Sequence, residues 1–329
     1  MSLTVLSWRG RWGTALASAV SGPFERATGV RVTHRFHVGL ALPDALSGAL
    51  ARGGRPPVDV VWSNSVPALR AAAAGGCVPL DPARHPVLGE LRDRARPEGH
   101  DSFPCVHPYA VQYVLCYRRA AYPDHPPRSW EVLTEPRHRG RIALYPGGNG
   151  FIPIAQVMGG GDPAAIPARM DPCWSWLHRL RGQIGALDYS VGMEHRLRRA
   201  ELDLCFRALP NVLAFQTAGA DVDWTVPREG TTDTLDALWI PAGVPEDTAE
   251  LAARYIAFAL RPDVQRAWCT RLGVLPVHRD VPRPDVLSGT TLPAHADDRS
   301  GILFIPEAVK AAHEPHWGRT WNQVVQCDE

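Results

Sequence analysis

Apolar and polar positions fall into two alternating periods along the first third of the chain. Leu3 to Trp8 reads as a short buried strand. Leu16, Val20 and Phe24 recur every four residues, which predicts a helix over Thr14 to Ala27. Pro23 inside that span predicts a kink or a split, and Gly29 a stop. The β-branched residues Val30, Val32 and Thr33 mark a strand to Phe36, and Leu42 to Ala51 reads as helical. A strand over Val58 to Trp62 leads to a helix over Val66 to Ala74, closed by Gly75-Gly76. Strands alternating with helices imply βαβ units and a largely parallel sheet. Ligands of such sheets sit beyond the carboxyl ends of the strands, which singles out Trp8 to Gly10 and Ser63 to Ser65.

The middle of the chain repeats the pattern. Strands are predicted over Val111 to Tyr117, Arg141 to Tyr145, Leu202 to Phe206, Val222 to Val226 and Leu235 to Ile240. Helices are predicted over Phe151 to Met158, Pro172 to Leu180 and Val212 to Ala218, with SWEVL as a helical turn. Asp247 to Leu260 is the clearest amphipathic helix, with Leu251, Tyr255 and Phe258 on one face. Arg261-Pro262-Asp263 ends it and starts another over Val264 to Leu272. Pro276, Pro282 and Pro284 predict a last crossing into an irregular tail.

Composition narrows the function classes. Hydrophobic residues make up 45% and charged residues 21% of 329 residues, enough apolar surface for a sizeable core, and the length favours two domains or one large one. A formal net charge of +1 gives no field to attract nucleic acid or an anionic membrane. Lys310 is the only lysine, with no Gly-rich loop before it, so P-loop and Schiff-base chemistry drop out. Seven scattered cysteines include no CxxC pair, which argues against a structural zinc site and leans mildly towards a reducing compartment. No stretch approaches the 18 apolar residues of a membrane span. The start, MSLTVLSWRG, lacks a charged segment followed by an apolar one and a cleavage site. Two compartments stay open: periplasmic or extracellular and lipid-anchored if a signal has been removed, cytoplasmic if this start is native.

Seven segments, in order, resemble the extracellular solute-binding proteins of ABC importers, in their spermidine/putrescine-binding branch. LTVLSWRG resembles the first strand with its Trp, and FERATGVRVTHRF the helix–strand step after it. VDVVWSNSVPALRAAAAGG is similar to the strand, serine loop and helix that follow. PYAVQYVLCY resembles the first hinge crossing, and SWEVLTEPRHRGRIALY the next turn–strand block. PREGTTDTLDALWIPAG resembles the stretch before the returning strand, and AARYIAFALRPDVQRAWCTRLGVLPVH the helix–RPD–helix element. The resemblance implies a type II periplasmic-binding-protein fold, two doubly wound α/β lobes joined by crossing hinge strands. It places residues 1–109 plus 236–281 in one lobe and 110–235 plus 282–329 in the other. It also implies a small-molecule ligand clamped between the lobes, an ABC permease as partner, a monomer and no cofactor.

A polyamine site needs separated carboxylates for its ammonium groups and aromatic faces for its methylenes. The family pattern is only partly present here. Trp8 matches the first-strand aromatic and Ser63 the loop serine, while Ser65 stands where an aromatic is expected. Asp236 matches the acidic position before the returning strand, but Thr234 and Val274 replace aromatics. Where two carboxylates should follow Tyr145, the chain has Pro146-Gly147-Gly148-Asn149-Gly150. Phe206 keeps an aromatic and is followed by Arg207. An ordinary polyamine is therefore disfavoured. Backbone N–H groups of the glycine loop, a helix dipole behind them, and the forks of Arg9 and Arg207 would suit an anion. With Asp236 for an amine, the pattern suits a small zwitterion such as an amino acid or aminophosphonate; a plain glycine turn with solvent-facing arginines is the equal alternative. Asn64, Tyr109, Tyr145 and Asn149 complete the candidate ligand set.

Other motifs carry less. His34 and His37 lack further ligands for a metal, and His313-Glu314-Pro315-His316 has neither the spacing nor the helix of a zinc protease, because Pro315 would disrupt it. GxSxG and GxGxxG are absent, and Cys205 and Cys269 have no adjacent base. Of eleven tryptophans, Trp130, Trp239 and Trp268 read as core and Trp8 as a cleft residue. The leading expectation is a non-catalytic binding protein. The alternative is a cytoplasmic protein of the same fold acting as an enzyme or ligand sensor.

Overall fold

The computed structural model describes residues 1–37, 46, 55–189 and 193–325. The helix expected over Leu42 to Ala51 lies, apart from Leu46, outside the described residues. The chain divides into two compact units. The first comprises Met1–Ala110, Leu235–Gly289 and Ala294–Asp298; the second comprises Val111–Thr234, Thr290–Pro293 and Arg299–Glu329. These bounds differ from the sequence division at 110, 235, 282–289 and 294–298, which that division places in the second lobe.

In chain order the strands are β1 (Ser2–Trp8), β2 (Arg31–His37), β3 (Val60–Asn64) and β4 (Cys77–Val78). Then come β5 (Tyr109–Arg118), β6 (Ile142–Leu144), β7 (Ile184–Leu187) and β8 (Leu204–Ala208). The last are β9 (Val222–Thr225), β10 (Asp233–Pro241) and β11 (Leu275–Pro276).

In the first unit β1 lies between β2 and β3, parallel to both, and β10 runs antiparallel to β3. The pair β4 continues along β10, and β11 pairs antiparallel with Tyr109 and Ala110. Helix Ser65–Ala73 covers the sheet, and Ala68 and Ala71 pack with Leu6, Val61, Ala237 and Trp239. The N-terminal helix begins at Arg11, three residues before the periodicity predicted, because Gly10 at φ 72° turns the chain out of β1. The split expected from Pro23 is a five-residue wide turn, Ala17–Ser21, after which Pro23 starts the helix Gly22–Thr28.

In the second unit β5 pairs antiparallel with both β8 and β9, while β6 lies parallel to β7 and β8. Each sheet is therefore mixed. The parallel order expected of the first third holds for β1, β2 and β3, and the antiparallel pairs come from the crossing strands β5 and β10. Two adjoining elements, β7 and helix Met193–Arg198, were also not predicted; both are too short for a periodic signal.

The predicted irregular tail is a 19-residue helix, Glu307–Val325, with Pro315 inside it. Pro315 costs one backbone hydrogen bond. Packing outweighs that loss: Trp317, Trp321 and Val325 recur every four residues and are buried. Lys310 closes an ion pair with the buried Glu307 at 2.7 Å.

Candidate functional site

In the first unit, the polar candidates converge where β3 ends and its helix begins. The antiparallel register sets Asp236 of β10 opposite Asn64 of β3, and Asn64 Nδ2 donates to Asp236 Oδ1 at 2.9 Å. The Tyr109 hydroxyl donates to Asp236 Oδ2 at 2.6 Å. Asp236 is only 3% exposed, so these bonds replace much of its lost hydration. Burial first, and the Asp236 charge second, push the Tyr109 phenol well above its ordinary range, which keeps it a donor. Ser65 Oγ lies 3.0 Å from His107 Nε2, and His107 Nδ1 lies 3.0 Å from the Arg94 carbonyl. A carbonyl can only accept, so in the neutral ring Nδ1 carries the proton and Nε2 accepts from Ser65.

The remaining candidates of this unit are placed differently. Ser63 faces inward: its hydroxyl donates to the Asn64 carbonyl at 2.8 Å and accepts from Trp239 Nε1 at 3.2 Å. Trp8 is half-buried, its ring 4.3 Å from that of His37, and Arg9 is exposed. His34 contacts Ser7 Oγ at 3.4 Å and His37 the Trp62 carbonyl at 2.9 Å, so both rings serve local structure. Sequence reasoning missed His107 and the aromatic wall around Tyr109, where Trp12, Trp62 and Trp268 lie with centroids at 5.7, 6.2 and 5.7 Å. Trp62 was legible only as a strand residue, and Trp268 as core.

In the second unit, Tyr145 and Arg207 come together at the ends of the adjacent strands β6 and β8. The Arg207 guanidinium stands 4.5 Å from the centroid of the Tyr145 ring. It donates to the carbonyls of Phe206 and Asp188, each at 2.9 Å, and is only 1% exposed. Among the described residues no carboxylate pairs with it. Tyr145 Oη accepts from Ala208 N at 3.2 Å and from Asn211 Nδ2 at 3.0 Å. Tyr189 stacks on Tyr145 at 5.2 Å and donates to the Pro146 carbonyl at 3.2 Å. Burial, and then the charge of Glu314, push the Tyr189 phenol up to about 12. Tyr189 and Asn211 were not predicted, since a lone Tyr or Asn carries no spacing signal.

Phe206 is fully buried among Tyr113, Phe151 and Trp130, with centroids at 4.7, 5.0 and 5.8 Å. The glycines after Tyr145 have packing reasons of their own. Gly147, Gly148 and Gly150 hold φ of 67°, 73° and 73°. A Cβ on Gly148 would fall 2.5 Å from Trp321, and one on Gly150 2.6 Å from Tyr113. The helix behind them, Ile152–Met158, has only seven residues, so it lends the loop little dipole. Thr234 is half-buried on β10 and Asn149 half-buried in the loop. Cys205 and Cys269 are buried thiols; burial pushes the Cys205 pKa up to about 11, which leaves no thiolate for nucleophilic work.

The family comparison matches residues 19–294 to the bacterial extracellular solute-binding proteins. Comparison with curated protein sequences gives no match. Solved structures of type II periplasmic binding proteins share the fold. An ABC transporter substrate-binding protein from Bradyrhizobium japonicum superposes with a TM-score of 0.82 at 19% identity, covering 99% of each chain. AgtB from A. tumefaciens, in complex with agropinic acid, gives 0.80 at 18% identity, covering 99% of each chain. AfuA from Actinobacillus pleuropneumoniae, with fructose-6-phosphate bound, gives 0.77 at 15% identity, covering 99% of each chain.

Proposed function

Because the chain belongs to the bacterial extracellular solute-binding protein family, we propose that it captures a small zwitterionic solute, its anionic group met by Arg207 and its amine by Asp236. One observation carries the reading: Arg207, at 1% exposure, is held by two carbonyls and an aromatic face and by no carboxylate among the described residues. A buried guanidinium without a counterion retains strong affinity for a carboxylate or phosphonate fork. Asp236, with Asn64 and Tyr109 orienting both oxygens, supplies the opposite pole. Two structural neighbours, one in complex with agropinic acid and one with fructose-6-phosphate bound, are in keeping with an acidic group on the solute. The absence of carboxylates after Tyr145 weighs against an ordinary polyamine. On this reading an ABC permease receives the liganded form.

The test is a thermal-shift panel on the full chain with amino acids, aminophosphonates, dicarboxylates and polyamines. A solute at about 100 times its dissociation constant adds about 2.7 kcal/mol of stability, which moves the midpoint by a few degrees. Stabilisation by zwitterions that is lost in Arg207→Ala supports the assignment. Stabilisation by a polyamine, unaffected by that substitution, sinks it.

A further inference from the structure

We propose that the C-terminal helix Glu307–Val325 is a positioning element of the second unit's binding site, acting through Trp321 on the loop that carries Tyr145. The proposal rests on the solute-binding role given above to Tyr145 and Arg207. Trp321 is fully buried and sits against the glycine loop: a Cβ on Gly148 would lie 2.5 Å from its Cε3 and 2.9 Å from its Cζ3. Its ring meets Phe151 edge-on at 6.2 Å, so one side chain touches both ends of the turn. Three residues before it, Gly318 lets the helix backbone come within 3.8 Å of a Cβ on Gly147. The Trp321 Nε1 donor is buried and has no hydrogen-bond partner among the described residues. Among the described residues packing holds the indole there, and a volume change is felt directly by the loop.

The loop transmits that contact to the site. Phe151 N donates to the Gly148 carbonyl at 2.8 Å, which closes the turn beginning just after Tyr145. The Pro146 carbonyl receives the Tyr189 hydroxyl, and Tyr189 stacks on Tyr145. Tyr145 in turn lies beneath the Arg207 guanidinium and accepts from Ala208 N. A loosened loop frees the Tyr145 ring, one of the groups that fix the orientation of the cation. Glu314, on the same helix, also acts electrostatically on Tyr189. Sequence periodicity placed no element here, so the helix had no role in the sequence reading of the site.

The experiment combines amide hydrogen exchange with calorimetry, using 4-aminobutanoate and 2-aminoethylphosphonate as probes. Trp321→Phe keeps an aromatic ring but leaves a gap; Gly148→Ala pushes a methyl into the indole. In both variants the amides of Phe151 and Ala208 should exchange about tenfold faster, with Leu238 of the first unit unchanged. Probe affinity should fall about tenfold. The double variant Gly148→Ala, Trp321→Leu should recover part of the affinity lost by Gly148→Ala alone, because the methyl then has room. Faster exchange with unchanged affinity would overturn the positioning role, as would unchanged exchange, or purely additive losses. If the wild-type chain binds neither probe, the zwitterion reading fails; the exchange result and its recovery in the double variant then decide by themselves whether Trp321 holds the loop.

Discussion

Two buried charges of the second unit are held in opposite ways. Asp203, at the start of β8, accepts from Arg141 at 2.5 and 2.9 Å, from Arg118 at 2.7 Å and contacts His138 Nδ1 at 3.3 Å. Arg207, four residues on, is bonded among the described residues to carbonyl oxygens and an aromatic face. Asp203 is saturated by ions and has nothing left to offer a solute; its bonds tie β5, β6 and β8 together. Arg207 is held by dipoles and meets no carboxylate among the described residues. In the first unit Asp236 accepts, among its contacts, from the Asn64 amide and the Tyr109 phenol. Burial alone does not mark a binding residue. What distinguishes Arg207 from Asp203 is the kind of partner, among the described residues, that offsets the burial.

The contrast can be broken most directly at Arg207. Arg207→Ala should weaken zwitterion binding about 100-fold, a loss of ~2.7 kcal/mol, while Arg207→Lys, which keeps the charge but not the fork, should lose about tenfold; calorimetry reads both. Asp203→Asn should leave affinity unchanged and lower stability by on the order of 3 kcal/mol at pH 7, because it strands the arginines.

The pH dependence has a definite sign. Burial works against ionisation of Asp203, but the hydrogen bonds from Arg141, Arg118 and His138 prevail and hold its carboxyl well below the usual range. The folded pKa is therefore below the unfolded value of about 3.9, so the stabilisation is complete above that value and is lost as pH falls towards the folded one. Denaturation midpoints of the wild type and Asp203→Asn should converge below about pH 4; a constant gap would place the contribution elsewhere.

Asp236→Asn should cost about 1.5 kcal/mol with an amine-bearing probe and little with a probe that has only a carboxylate. Equal losses for both would move Asp236 out of the amine's reach. The smallest effect concerns the thiols. Cys105, Cys116, Cys173, Cys205 and Cys269 are buried in both units, and burial raises the pKa of each. A thiol reagent should leave these five unmodified for minutes in the native protein and modify them at once in denaturant.

Much of the architecture was legible because its elements carry a long or clean period. The stripe Leu251, Tyr255 marks the helix Glu246–Ala259, and the β-branched run marks β2. The C-terminal helix was missed although Trp317, Trp321 and Val325 repeat at four-residue spacing, because Pro315 between apolar positions reads as a break. Asp236, Arg207 and Tyr145 could be nominated from motif order. His107, Tyr189 and Asn211 could not, since each acquires its partner from a segment distant in the chain: Ser65, 42 residues away; Pro146, 43; Tyr145, 66.

The sequence by itself determined the alternation of strands and helices, the family resemblance and the loss of polyamine carboxylates, because these are local matters of residue type and spacing. Only the tertiary structure decided which strands run antiparallel, that the glycines after Tyr145 seat Trp321, and that Asp203 is ion-paired while Arg207 meets carbonyls and an aromatic ring. Those outcomes depend on contacts between segments far apart in the chain, and no local pattern encodes the partner a side chain will meet.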